Sequence, residues 1–221
     1  MRGGSPAEGV RGALGADGAC RQAVRASTIA RRAAREGAGR VLHMVDEAQL
    51  EKTEAGLRPA GPGWFVVNLA AAHWNACEGA GRWCSFEGQA PGARFSQFGI
   101  NVHVLLPGER NCQYHRESAQ EAFLVLSGEC LVIVEGEERR LVAGDFFHCP
   151  PMTSHVFVGS GKGPCAIVMV GTRGPDIEIH YPVERAALAH NAGVTIATDD
   201  PRVAYADFPK VAPVKSPWPL G

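Results

Sequence analysis

The sequence predicts an all-β protein, an antiparallel barrel or sandwich with short helices at its edges. Three observations carry this. Between 95 and 173 the chain is a succession of short apolar runs: AFLVL, CLVIVE, RRLVA, FFHC, SHVFVG and CAIVMVG. The joints between them, SGE, GEE, GD, PPMT and SGKGP, are turn sequences. At the head of this region FSQFGINVHVLLPG alternates, placing Phe98, Ile100, Val102, Val104 and Leu106 on one face. Period-two alternation with glycine at the joints is the pattern of antiparallel strands around a shared interior.

The flanks read differently. Residues 1–43 are mostly Ala, Gly and Arg, without an aromatic side chain. Such a segment buries too little apolar surface to offset its ordering entropy, so a disordered arm is expected, with at most a transient helix at STIARRAARE. An Arg-rich, acid-poor leader suggests an organelle transit peptide. The scarcity of Ser, the abundance of Gly and the weak apolar face argue against that, and the arginines are scattered rather than clustered as a basic arm would have them. The preferred reading is upstream sequence, with Met44 as the working start. Residues 44–94 are expected to form a lead-in packed on the barrel. Within it MVDEAQLEKTEAG carries helical charge patterning closed by Gly. WFVVNLAAAHW is rich in β-formers at its start, and EGAGRWCSFEGQAPGARF is a loop by its turn residues. Residues 174–221 are expected to hold a short helix at VERAALAHNAG and a Pro-rich strap over the barrel.

Bulk properties exclude several function classes. At 221 residues the chain supports one good core. A composition 45% hydrophobic and 20% charged, with a formal net charge of −1, gives no footprint for nucleic acid or an anionic membrane surface. No apolar run is long enough to span a bilayer. The seven cysteines lack CxxC or zinc-ribbon spacing. They are read as free thiols in a reducing cytoplasm. No Walker loop, dinucleotide-binding glycine set or nucleophile elbow is present, and Glu135 to Glu138 is a hairpin turn rather than a calcium loop.

The chemistry gathers in two places. In YHRESAQE, His115 and Glu117 are two residues apart and share a strand face, and Glu121 opens the next strand. In GDFFHCPPMTSHVFVG, His155 begins a strand after a proline turn. Antiparallel neighbours would bring His155 beside His115 and Glu121. Two imidazoles with one or two carboxylates inside a barrel make a metal site, and a divalent cation would offset the desolvated charges. Any one of these residues alone reads as an ordinary surface or core group; their coincidence favours metal. Tyr114, Gln120 and His148 flank the ligands as candidate substrate-binding residues. His148 and Cys149 sit on one strand with opposite parity, and Cys149 reads as a packed thiol. His103 is on the opposite parity to the Phe98–Leu106 face and is expected to point outward or to stand behind the ligands. Trp64, Trp74 and Trp83 read as packing.

These motifs resemble the cupin family. Its first motif, Gly, a spacer, His-x-His, a short gap, Glu, six residues and Gly, is matched by Gly108, His115, Glu117 in place of the second His, Glu121 and Gly128. Its second, Gly, five residues, Pro-x-Gly, two residues, His, three residues and Asn, is matched by Gly144, Pro150, Met152 in place of Gly, His155 and Gly159 in place of Asn. The resemblance covers about 95–173. It implies a double-stranded β-helix, or jelly roll, a metal held by His115, Glu117, Glu121 and His155, and a homodimer. Glu117 as a ligand would favour Mn or Fe, with Zn or Ni also compatible. Without Glu117 the set is the two-His-one-carboxylate triad of non-haem iron proteins. The implied chemistry is oxygenation, isomerisation or decarboxylation of a small oxygenated organic molecule. The competing reading is a non-catalytic sensor or ligand-binding barrel. A water-occupied coordination position beside polar groups would discriminate the two. The loss of Gly at 152 predicts an altered turn.

Overall fold

The computed structural model describes residues 45–220; the Ala/Gly/Arg-rich arm lies outside the described residues. Among the described residues strand accounts for 41% and helix for 5%, which settles the class as mostly β. In chain order the elements are β1 (Leu50–Thr53), β2 (Gly56–Pro59), β3 (Trp74–Ala76), β4 (Arg82–Cys84), β5 (Phe98–Leu105), β6 (Arg116–Glu117) and β7 (Glu121–Ser127). They continue with β8 (Glu129–Val134), β9 (Glu137–Val142), β10 (Phe146–Cys149), β11 (His155–Gly159), β12 (Cys165–Thr172) and β13 (Ile179–His180). Two short helices, α1 (Arg185–Ala189) and α2 (Pro201–Ala204), and β14 (Ala212–Val214) end the fold.

All strand pairs are antiparallel. One sheet has the order β10-β7-β12-β5-β4-β3-β14, and a three-stranded sheet has the order β11-β8-β9. This is a jelly-roll, double-stranded β-helix arrangement. A core fills the space between the sheets: Leu105, Phe123, Val125, Cys130, Val132, Phe157, Ile167 and Met169 are all buried. The turn before β8 depends on Gly128, whose φ is +72° and where a Cβ would lie 2.3 Å from the Pro164 oxygen.

Several sequence expectations need correcting. The helix expected at 44–56 is instead the β1–β2 hairpin. Its charges pair across strands, with Glu51 opposite Arg58 and bonded to it at 2.5 Å. An isolated short helix there would have no apolar stripe to bury. In WFVVNLAAAHW the β-rich start is not a strand: Trp64 makes one isolated bridge to Glu47, and the strand begins only at Trp74. The expected loop at 78–95 contains β4, which pairs with β5 and widens the sheet.

The most consequential correction concerns β5. Val102 and Val104 do not face the shared interior. They pack outward, against Trp74, Cys84 and Ala72, with Val67, Trp218 and Leu220 closing over them. The opposite parity, Gly99, Asn101, His103 and Leu105, faces inward. Residues near the C-terminus thus cover part of this face, and β14 pairs with β3. The helix expected at 183–193 is α1, whose first turn is capped by the Glu184 side chain on Ala186 N.

Candidate metal centre

Two local devices aim the histidines. His115 and His155 exchange backbone hydrogen bonds, His115 N to His155 O at 3.2 Å and His155 N to His115 O at 2.8 Å. That bridge places the two rings side by side, 5.0 Å between centroids. Each ring then meets a carbonyl two residues upstream. His115 Nδ1 lies 2.9 Å from Gln113 O and His155 Nδ1 lies 3.1 Å from Thr153 O. A carbonyl only accepts, so each Nδ1 carries the hydrogen and each Nε2 presents a lone pair.

Glu121 completes the group. It opens β7, and its side chain leans across Gly171 of β12, where an added Cβ would touch Glu121 Cγ at 3.4 Å. Its Oε2 stands 3.4 Å from His155 Nε2, is buried, and has no hydrogen-bond partner. Ligand atoms of His115, Glu121 and His155 all lie within 4.8 Å of one another. Two lone-pair nitrogens and an unpaired carboxylate oxygen facing one point is a donor set that fits a divalent cation.

The electrostatics agree. Burial, and then the neighbouring Glu117 charge, push the Glu121 carboxyl up to about 8. Burial, then His115, hold His155 down at about 4, against its bond to Thr153. Burial likewise lowers His115 and raises Glu117. Without a cation the pocket disfavours every charge in it.

The group opens on a cavity of about 550 Å³. Glu117 lines this cavity beside His115 but stands outside the close three-residue group. The three flanking residues expected to bind substrate are not in its wall. Tyr114 is buried in a separate apolar cluster, where its hydroxyl accepts from Gly136 N at 3.1 Å. Gln120 and His148 are exposed and meet each other at 3.3 Å. Sequence proximity to the ligands misled here: Tyr114 precedes His115 by one residue and so takes the opposite direction, and β10 turns Cys149 inward and His148 out. Conversely, His103 lines the cavity and does not point outward. Asn101 and Arg173 line it too.

The two departures from the second motif have different outcomes. Met152 adopts the left-handed conformation suited to glycine, φ +66°, and its N–H bonds Glu117 O at 2.7 Å. The turn is thus held in a glycine-like shape by a non-glycine residue. At Gly159 a Cβ would sit 2.1 Å from the Leu106 oxygen, so no Asn fits there.

Comparison with known proteins accords with this geometry. The family model "Cupin domain" matches residues 101–171. Residues 101–171 form a cupin domain. Among solved structures, the cupin is similar to a sugar phosphate isomerase of the cupin superfamily from Silicibacter pomeroyi, at 25% identity over 55% of this chain and 75% of that one, TM-score 0.43. It is similar to the polyketide cyclase RemF from Streptomyces resistomycificus at 11% identity, over 74% and 88% of the two chains, TM-score 0.40. A protein from Acidithiobacillus ferrooxidans is matched at 24% identity, TM-score 0.41, over 46% of this chain and 65% of its own length, just under two thirds. No curated protein matches the sequence. No helix among the described residues is long and apolar enough to cross a membrane.

Proposed function

We propose that this cupin holds a divalent metal ion, Fe(II) or Mn(II), on His115, Glu121 and His155, and acts on a small oxygenated organic molecule by oxygenation, isomerisation or decarboxylation. The observation that carries the reading is the buried, unpaired Glu121 Oε2 facing two imidazoles whose tautomers are fixed by carbonyl bonds. A bound ion would supply Lewis acidity or oxygen activation, with positions left open toward the cavity. The chain's own part is to hold the imidazoles neutral, keep Glu121 aimed, and exclude bulk water with Phe123, whose ring lies 5.2 Å from that of His155. Glu117 contributes a negative charge beside the ion without being one of the close donors. In this reading the protein is cytoplasmic. It pairs with a second copy through the β10 edge, where Phe146 is 64% exposed. Elemental analysis of protein purified without chelator or nickel resin tests the proposal. About one equivalent of iron or manganese is expected, lost in Glu121→Gln; a metal-free wild type that also rejects added Mn(II) overturns it.

A further inference from the structure

The inward face of β5 carries two polar side chains that the metal reading leaves unused. Asn101 and His103 lie two residues apart on one face and both line the cavity. Asn101 Oδ1 and His103 Nδ1 are each buried without a hydrogen-bond partner. Unpaired buried polar atoms are costly, and a native structure keeps them where something else supplies the partner.

Neither side chain is idle through disorder. β5 is paired on both edges, with β4 and β12, so its backbone is fixed. The His103 ring stacks on Trp83, its direct cross-strand partner, at 5.8 Å and 14° between planes. Along this face the sequence runs from Gly99, beneath the Arg173 guanidinium, through Asn101 and His103 to Leu105 in the dry core. The polar pair therefore lies between the Arg173 end of this face and the dry core.

Its place in the sheet sets its relation to the metal donors. Glu121 of β7 is opposite Gly171 of β12, which is opposite Gly99 of β5. Two strand spacings, roughly 10 Å, separate Glu121 from Gly99, and Asn101 and His103 lie two and four residues further along β5. Asn101 and His103 are thus too far away to join the donor group, and near enough for a small molecule held at that group to reach them.

Charge narrows what such a molecule is. The cavity wall contains the carboxyls of Glu117 and Glu121. Among the described residues its one Lys or Arg is Arg173, which is bound to Glu87 through Nη1 at 2.6 Å and Nη2 at 3.1 Å and to Phe95 O at 2.8 Å. Burial keeps His103 neutral, its pKa lowered to about 4. A neutral imidazole and an amide offer matched donors and acceptors to hydroxyl groups and no charge to an anion.

We infer that Asn101 and His103 form a recognition floor for the hydroxyl groups of a substrate that is uncharged at the end meeting them and whose other end sits at the metal donors. This rests on the proposed metal-dependent function, and its test separates the two. 6-Hydroxy-2-hexanone and its hydroxyl-free counterpart 2-heptanone serve as probes, with dissociation constants read by isothermal titration on the Mn(II)-loaded full chain. Wild type should prefer the hydroxyketone by at least tenfold. His103→Phe, which preserves the stack on Trp83, should abolish the preference, and His103→Gln should retain most of it. Metal content should be unchanged in both. Asn101→Leu leaves the Trp83 stack untouched; it carries the same test should His103→Phe disturb folding, and should reduce the preference severalfold. Equal binding of the two probes by wild type overturns the inference. So does a preference that survives both His103→Phe and Asn101→Leu, or loss of metal on changing His103. If wild type takes up no metal, the metal reading falls and the floor is judged by the same preference on the metal-free chain.

Discussion

The two ends of the cupin interior are built by the same strands and differ completely in chemistry. β7 begins with Glu121 and two residues later places Phe123 in the core; β11 begins with His155 and two residues later places Phe157 there. At one end His115, His155 and the partly buried Glu121 bring their ligand atoms within 4.8 Å of one another. At the other, Phe123 and Phe157 pack at 4.7 Å over a sulfur- and aliphatic-rich interior. The contrast teaches where the electrostatic cost arises. The polar end is not merely near the dry end; it rests on it, and the aromatic layer is what desolvates the imidazoles and the carboxyl.

Breaking the dry end should have the largest effect. Phe157→Ala should lower the unfolding free energy by about 3–5 kcal/mol, read from urea denaturation at constant slope. Glu121→Gln should do the reverse: Mn(II) or Fe(II) affinity falls at least about 100-fold, while the metal-free protein keeps or gains stability above pH 6.5. If Glu121→Gln destabilises as much as Phe157→Ala, the two ends are not separable in this way.

A pH series sharpens the same contrast. Glu121, raised to about 8, must lose a proton to bind an ion, whereas His155, lowered to about 4, is already neutral. Isothermal titration should show affinity rising about tenfold per pH unit between pH 6.5 and 8, with one proton released, and levelling above that. The metal-free protein should follow the opposite course. The stability tied to protonated Glu121 is complete below its unfolded value and is lost as pH rises to about 8. The stability tied to neutral His155 is present above its unfolded value and is lost as pH falls toward about 4. Between the ordinary imidazole range and pH 8 the raised Glu121 carboxyl acts without opposition from His155, and the raised Glu117 acts in the same direction, so the melting temperature should decline there.

Glu117→Gln should lower metal affinity by less than about tenfold, a through-space charge effect rather than the loss of a donor. It should also let Glu121 ionise at lower pH, shifting metal uptake in the acid direction. An effect as large as that of Glu121→Gln would make Glu117 a direct ligand. Smallest of all, Met152→Gly should stabilise the protein by about 1 kcal/mol, because a side chain at φ +66° is strained there and Met152 is largely exposed.

The strands from β7 to β12 were legible because their apolar runs are separated by residues with one conformational use each, such as Gly128 and the Pro150–Pro151 pair. The grouping of His115, Glu121 and His155 was legible for the same reason, since strand ends bounded by such turns carry their side chains to predictable faces. The role of β5 was not. Its apolar parity, Val102 and Val104, is covered by residues 60 or more positions distant in chain order as well as by near neighbours, among them Trp218 and Leu220. A strand buried on both faces does not announce which face meets a cavity: His103 was expected to point outward or to stand behind the ligands, and Asn101 carried no expectation. The β1–β2 hairpin was missed because the spacing that lets charges pair along a helix also lets Glu51 meet Arg58 across a turn.

The reciprocal bonds between the His115 and His155 backbones bear on what kinds of sequence change the site survives. Each histidine has its ring secured by a carbonyl in its own approach segment, Gln113 and Thr153. Substitutions in those segments leave the peptide oxygens in place, so the bonds that aim the rings do not depend on the side chains there. They do depend on length. One residue inserted or deleted between Gln113 and His115, or between Thr153 and His155, reverses the direction of an imidazole and removes a donor in a single step. The centre is thus encoded by spacing more than by the identity of its neighbours, and its descendants should differ in letters around the histidines while keeping the count between them.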